Sequence, residues 1–465
     1  MIKTMLKTIP LLSLAIMGCS DEHDTTTKTS ETDSRLEQVL TQRYVGDRTG
    51  LCVAAAYIEA EVVSRATACA DPTQHRLEGD SVVVEIGSVT KTMTGALLAS
   101  LIEEGQLNLD DSLAMHLPLT ANVPDFEGQP ILLKHLVTHT SGLPREPDIV
   151  LLSDSDNPYA DLTEAQVIEA LESVTLDRAP GTKWDYSNFG YMLLSYVVVH
   201  TAGTDLETLM QERIFKPLEM DKAYISQPPE EVQVAVGHNS YDGQAVVAMD
   251  FPVNLAGPGG VRATLDDMVR YAQAQLGIGD AHTVATLKLA HDLVDLGADY
   301  PADDQQMGMG WWRGSLDGRT ILHHGGNTFG FSSMVVIDPE NNRAIVILTD
   351  VHLDYGIEEV AAHLFDPDKY ELPPPRRVAF PDPILLQSLQ GRYRVSDFEV
   401  TLSYSGMTLF ASIADETEEF GFDSRGDFYP TSVDGLLTPI LDEAGKQTFI
   451  WNDTDNVYIA QRLDP

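Results

Sequence analysis

Gly87-Ser88-Val89-Thr90-Lys91 opens the stretch GSVTKTMTGALLASLIEEG (87–105), and its reading decides the fold. A strand-like run, Ser81 to Ile86, leads into it. Apolar positions then recur with helical spacing until Gly105 stops them. Ser88 and Lys91, three apart, share one face of that helix. A serine hydroxyl is a weak nucleophile and needs a nearby base. A lysine kept from water, near other cations, can lose its proton near neutral pH. A serine at a helix start also meets the positive end of the helix dipole and free N–H groups that suit an oxyanion. This is the only Ser-x-x-Lys in the chain.

Working outward, two further clusters follow. Tyr186-Ser187-Asn188 is the only Tyr-x-Asn in the chain. A tyrosinate near a lysine can relay protons, and an Asn amide can hold a substrate carbonyl. His324-Gly325-Gly326 stands just before a strand, where glycines let substrate lie against the backbone. Taken singly each has a plainer reading: packing for Tyr186, a cap for Asn188, a turn for the glycines. Around them, helical patterns cover Leu133 to Thr138 (broken by Gly142 and Pro144) and FGYMLLSYVVVHTAG, ended by Gly203. Thr264-Leu265-Asp266-Asp267 has the spacing of a capping box before another. Strands are expected at Phe331 to Ile337 and Arg343 to Leu348. Strands near both ends with helices between them predict a mixed α/β domain closed by its own termini.

The N-terminal strands form a hairpin. In LCVAAAYIEAEVVSRATACA the two apolar runs meet near Ala60-Glu61. A two-residue turn there places Cys52 opposite Cys69 on a non-hydrogen-bonded pair, where side chains approach most closely. Ala-Glu is a poor sequence for such a turn. An exported protein permits the disulfide; the alternative is two buried thiols. Export is expected from Met1 to Gly18, with Lys3 and Lys7 before a short apolar core that cannot span a bilayer. Ile16-Met17-Gly18-Cys19 resembles a bacterial lipoprotein processing site, so Cys19 is the expected lipidation site; the alternative is an ordinary secretion signal. The chain is thus expected to be membrane-anchored, facing the periplasm or cell exterior, on a polar tether (19–35).

The 465 residues suggest two or three domains, and 43% hydrophobic content supports a large core. With 71 Asp+Glu against 30 Lys+Arg the net charge is −41. Phosphates repel such a chain, which argues against nucleic acid and against adhesion to anionic lipid through a basic patch. The expected main domain is 36–370, followed by a Pro-rich linker (371–383). From Leu389 the texture becomes short alternating runs separated by Gly, Asp and Asn, a small β-barrel domain at 384–465. No internal repeat is present.

In this order, Ser-x-x-Lys, Tyr-x-Asn and His-x-Gly resemble the serine β-lactamase and penicillin-binding-protein superfamily. The likeness is closest to the branch of class C β-lactamases, D-aminopeptidases, DD-carboxypeptidases and related esterases. HLVTHTSGLP (135–144), WDYSNFGYMLLSYVV (184–198), IFKPLEMDKAYIS (214–226), GPGGVRATLDDMVRYAQ (257–273) and HHGGNTFGF (323–331) extend it over roughly residues 36 to 365. The resemblance implies an α+β, β-lactamase/transpeptidase-like fold: an antiparallel sheet flanked by helices, with a helical subdomain. It implies Ser88 as acylated nucleophile, Lys91 as its proton acceptor and Tyr186 as proton relay. It also implies Asn188 as a ligand for the substrate amide or ester side chain, and an oxyanion hole from the N–H groups of Ser88 and Asn327, the latter following Gly325 and Gly326.

His324 stands where many relatives carry a lysine. A fixed cation there would hold a substrate carboxylate. An imidazole does so only when protonated, so the attraction is expected to appear between pH 8 and pH 6. Esterase or D-amino-acid peptidase activity on a small ester, amide or peptide is therefore favoured over efficient β-lactamase activity. The alternatives are a penicillin-binding receptor that acylates without turnover, or a surface binding module with a vestigial site. No cofactor or metal is expected, and the chain reads as a monomer. A Gly-x-Ser-x-Gly elbow and a His-Glu-x-x-His motif are both absent from the sequence. His135 and His139 are four apart but lack an evident third ligand. Gly257-Pro-Gly-Gly260 lacks nucleotide-binding spacing. Trp311-Trp312 reads equally as cleft lining or as core.

Overall fold

The computed structural model of the protein describes residues 22–153, 156–297, 306–353, 356–414, 416–452 and 457–463. The expected leader (1–18) and the expected lipidation site Cys19 lie outside these residues. The first helix, α1 (Glu22–Tyr44), begins inside the segment expected as a polar tether. Leu36, Val39, Leu40 and Tyr44 bury one face of its C-terminal half. That anchored turn lets helical hydrogen bonds propagate back through the polar residues.

The hairpin follows as β1 (Cys52–Glu59) and β2 (Val62–Cys69), with Ala60 taking a positive φ of 55° at the turn. Cys52 faces Cys69, the two are disulfide-linked, and their Cα atoms are 4.0 Å apart. Strand β3 (Val82–Glu85) stays out of the main sheet, pairing instead with Gln233–Val234 and Arg262–Ala263. Near the end of the domain come β4 (Trp312–Leu316), β5 (Arg319–Asn327), β6 (Ser332–Asp338) and β7 (Arg343–Thr349). The six-stranded antiparallel sheet runs β2-β1-β7-β6-β5-β4, so the first strand pairs with the last and the domain is closed by its own termini.

Period-two alternation divides the core between the two faces of this sheet. Ala54, Ala56, Ile58, Val346 and Leu348 face the helical side. There lie α2 (Thr90–Glu103) and α3 (Asn188–Ala202), both buried over most of their circumference. Val53, Ala55, Tyr57, Ile345 and Ile347 face α1 and α4 (Ile357–Phe365). Leu322, His324 and Gly326 lie on alternate positions of β5, and Leu322 packs on the helical face.

The Pro-rich segment runs extended and is strapped down on both sides. Arg48 N donates to Arg376 O (2.7 Å), Ser424 N to Arg377 O (2.8 Å) and Ala379 N to Phe422 O (2.9 Å). Beyond it, nine antiparallel strands form a nearly closed barrel. Val457–Ile459 pairs at one edge and Gln461–Arg462 at the other, against Gly391–Val395, so a single stretch of chain links both edges. This architecture agrees with the α+β fold and terminal barrel expected from the sequence.

Candidate active site

Ser88 sits in a single 3₁₀ turn, Gly87–Val89, that leads directly into α2. No side chain caps α2. One helical turn on, Lys91 is fully buried. Its Nζ lies 3.1 Å from Ser88 Oγ, 2.7 Å from Asn188 Oδ1 and 2.7 Å from the carbonyl oxygen of Pro258. Burial, reinforced by the Arg145 guanidinium, holds the Lys91 amine well below the usual lysine range, with Glu146 opposing.

Asn188 arrives from the start of α3, which is capped by its neighbour: Ser187 Oγ accepts from Gly190 N at 2.9 Å. The Asn188 side chain is thus left free of capping and turns to Lys91. Tyr186 lies just outside the helix, its ring stacked on His139 (4.2 Å between centroids) and 4.7 Å from Lys91 Nζ. Arg145 lies over the same ring, at 5.0 Å. His139 itself is fully buried, accepts from Ser187 N through Nδ1 (3.0 Å), and is held neutral by burial.

The glycines after His324 act through what they lack. A Cβ at Gly326 would meet Ile86 O at 2.0 Å and Ser88 N at 2.9 Å; one at Gly87 would meet Asn327 N at 2.8 Å. The two backbones therefore press together only because both residues are glycine. The contact holds the Gly87-Ser88 backbone against the Gly326-Asn327 backbone.

His324 differs from expectation. It is 2% exposed, and Nδ1 lies 2.6 Å from Gly325 O, so that nitrogen carries the proton. Burial, with Lys91 close by, pushes its pKa down to about 3. The ring stays neutral throughout the working pH range and supplies no charge to a substrate carboxylate between pH 8 and pH 6.

Two participants carry no clear sequence signal. Pro258, in Gly257-Pro-Gly-Gly260, presents its carbonyl to Lys91. Glu146, two residues beyond HTSGLP, accepts from Asn188 Nδ2 at 2.5 Å. Trp311 is core, against Tyr271, whereas Trp312 packs on Trp184 beside Tyr186. His135 Nδ1 accepts from Leu132 N. No group of three metal-ligating side chains occurs among the described residues. The cavity of about 620 Å³ inside the barrel, lined by Phe398, Leu402, Phe420 and Trp451 among others, is away from this chemistry.

The family model described as Beta-lactamase matches residues 36–361. The chain is 32% identical over 280 residues to D-alanyl-D-alanine-carboxypeptidase/endopeptidase AmpH of Escherichia coli K12, covering 57% of this chain and 71% of that one. It is 30% identical over 300 residues to a beta-lactamase of the same strain, covering 57% and 74%. The structure of the octameric penicillin-binding protein homologue from Pyrococcus abyssi superposes with a TM-score of 0.58 at 18% identity, covering 93% of this chain and 99% of the other. That last likeness is one of fold and extends through the barrel.

Proposed function

Because the chain belongs to the beta-lactamase family, and its relatives named above include a D-alanyl-D-alanine-carboxypeptidase/endopeptidase and a beta-lactamase, we propose that it cleaves an ester or amide through an acyl-enzyme on Ser88. The observation that carries this reading is the environment of Lys91. A neutral amine has two N–H bonds and one lone pair. Asn188 Oδ1 and Pro258 O can only accept, so they take both N–H bonds. The lone pair is left for the O–H of Ser88, 3.1 Å away.

In the proposed reaction Ser88 Oγ bonds to the substrate carbonyl carbon as its proton passes to Lys91. The oxyanion rests on the N–H groups of Ser88 and Asn327. Collapse breaks the bond to the leaving alcohol or amine, which takes up that proton from Lys91, with Tyr186 as relay. Water then attacks the acyl-enzyme as its proton passes to the same base, which returns it to Ser88 Oγ as the acyl C–O bond breaks, releasing the acid and free Ser88. Esters and neutral amides, including D-amino-acid amides, are the preferred substrates, because the neutral His324 offers no anchor to a carboxylate.

We also propose, from the processing-site likeness of Ile16-Met17-Gly18-Cys19, that the chain is an exported lipoprotein held to the membrane through Cys19. Purified protein should be assayed against p-nitrophenyl esters, D-amino-acid amides and nitrocefin. Multiple turnovers of an ester or amide are expected. A single acyl equivalent without further turnover of any of the three would make the chain a penicillin-binding receptor instead.

A further inference from the structure

Glu146 is 8% exposed and stands directly behind the catalytic pair. Its Oε1 accepts from Asn188 Nδ2 at 2.5 Å, and the oxygen of that same amide faces Lys91 Nζ at 2.7 Å. Burial pushes the Glu146 carboxyl up, and its hydrogen bonds from Asn188 and Tyr159, with the Arg145 charge, oppose that rise. As a carboxylate it can only accept, so it admits the amide in one orientation: NH₂ toward Glu146, oxygen toward Lys91. With the amide reversed, two donors would point at one another across the Asn188–Lys91 contact. Lys91 would then satisfy its neighbour only by turning its lone pair to Asn188 and away from Ser88.

We propose that Glu146 is a positioning residue that fixes the Asn188 amide, and through it aims the Lys91 lone pair at Ser88. The proposal rests on the reading of Ser88 and Lys91 as nucleophile and base. Glu146 touches neither Ser88 nor the reacting atoms in this arrangement; it acts three groups back, through directional hydrogen bonds. Arg145, His139, His324, Tyr186 and Tyr191 also surround Lys91.

The test is the rate at which a fluorophosphonate labels Ser88, which isolates nucleophile activation from turnover. Glu146→Leu should slow labelling by about 30- to 100-fold, the scale of a lost general-base contribution. Glu146→Gln, which can still accept through its amide oxygen, should slow it by less than about tenfold. Asn188→Asp places two carboxylates in contact and should be slow. Asn188→Asp with Glu146→Gln restores a donor facing an acceptor and should label at least about tenfold faster than Asn188→Asp alone. In that double variant a carboxylate adjoins Lys91 and favours its ammonium form, so the pH midpoint of labelling should move upward by about one unit or more. Full-rate labelling of Glu146→Leu, or a double variant no faster than Asn188→Asp, would overturn the proposal. Should Asn188→Asp fail to fold, the ranking of Gln above Leu at position 146 decides. Failure of the unmodified protein to label at Ser88 would overturn the hydrolase reading instead.

Discussion

The hydrolase domain and the barrel hold opposite kinds of interior. Around Ser88 the interior is crowded with polar groups: a buried lysine, a buried carboxylate, two buried imidazoles and backbone held against backbone. The barrel holds a cavity of about 620 Å³ whose lining is mainly aliphatic and aromatic. Polar groups buried at a cost in desolvation must be held by directed partners, and it is this directedness that makes chemistry possible. Volume alone marks only where packing is loose. The difference teaches that the reactive centre is recognised by the hydrogen-bond geometry around one amine.

The most severe way to break this contrast is to disable each interior in turn. Ser88→Ala should lower kcat/KM for an ester substrate by at least about a thousandfold, as loss of an activated nucleophile does. Ala411→Phe, which fills part of the barrel cavity, should leave kcat/KM within about twofold, since it touches no group of the polar centre. Comparable losses from both would mean that the barrel interior participates in catalysis.

The two regions meet at an ion-pair cluster, which supplies the next largest effect. Asp423 of the barrel is fully buried, 2.8 Å from Arg376 Nη1 and 3.8 Å from Arg48 Nε of the hydrolase domain. Asp427 also meets Arg376, at 2.5 Å. Asp423→Ala takes from Arg48 its carboxylate partner, leaving the Ser240 carbonyl and the Tyr429 ring, and removes one of the two carboxylates paired with Arg376. The expected loss is about 3–5 kcal/mol, the range for breaking a buried pair from one side. Guanidinium unfolding of the full chain measures it. A loss within error would show that water reaches the cluster and screens it.

The disulfide belongs to the hydrolase domain alone. Cys52–Cys69 closes a separation of 17 residues at the edge of the main sheet. Its removal by a Cys52→Ser, Cys69→Ser pair should lower stability by about 3 kcal/mol on the chain-entropy account, with Ser88 labelling kept. Loss of labelling in a protein that still melts cooperatively would tie the hairpin to the site.

Much of the fold was legible because its signals are local. The hairpin register follows from counting back from Ala60-Glu61, and Cys52 does face Cys69. The helix carrying Lys91, with Ser88 one 3₁₀ turn before it, and the Thr264–Asp267 capping box lie where spacing put them. The site was legible to the extent that its members come in short motifs. Glu146 and Pro258 were not, since each acts through a single contact made by tertiary packing, 42 residues from Asn188 and 167 from Lys91 along the chain. The protonation of His324 was misread for a related reason. Burial sets it, and the sequence shows the residue without its burial.

His324 gives the smallest and most discriminating effect. A charged imidazole at the cleft would raise the ratio of kcat/KM for an anionic ester to that for a neutral ester as pH falls from 8 to 6. With its pKa near 3 and the ring buried, the charge is absent over that range. The ratio should therefore stay flat, within about twofold, and His324→Gln should leave it flat. A rise toward pH 6 that vanishes in His324→Gln would place the imidazolium in the cleft after all. Stability provides the complementary signal. The unfolded chain protonates His324 near its ordinary value of about 6.5, and the folded chain only near 3. Between those values the unfolded state binds more protons, so stability falls as pH falls, by about 1.4 kcal/mol per pH unit from this group. His324→Gln removes that dependence. Between pH 6.5 and pH 5 the variant should lose about 2 kcal/mol less than the unmodified protein. Equal losses in the two would mean that the imidazole titrates in the folded state much as it does in the unfolded one, and that the polar centre is wetter than its burial indicates.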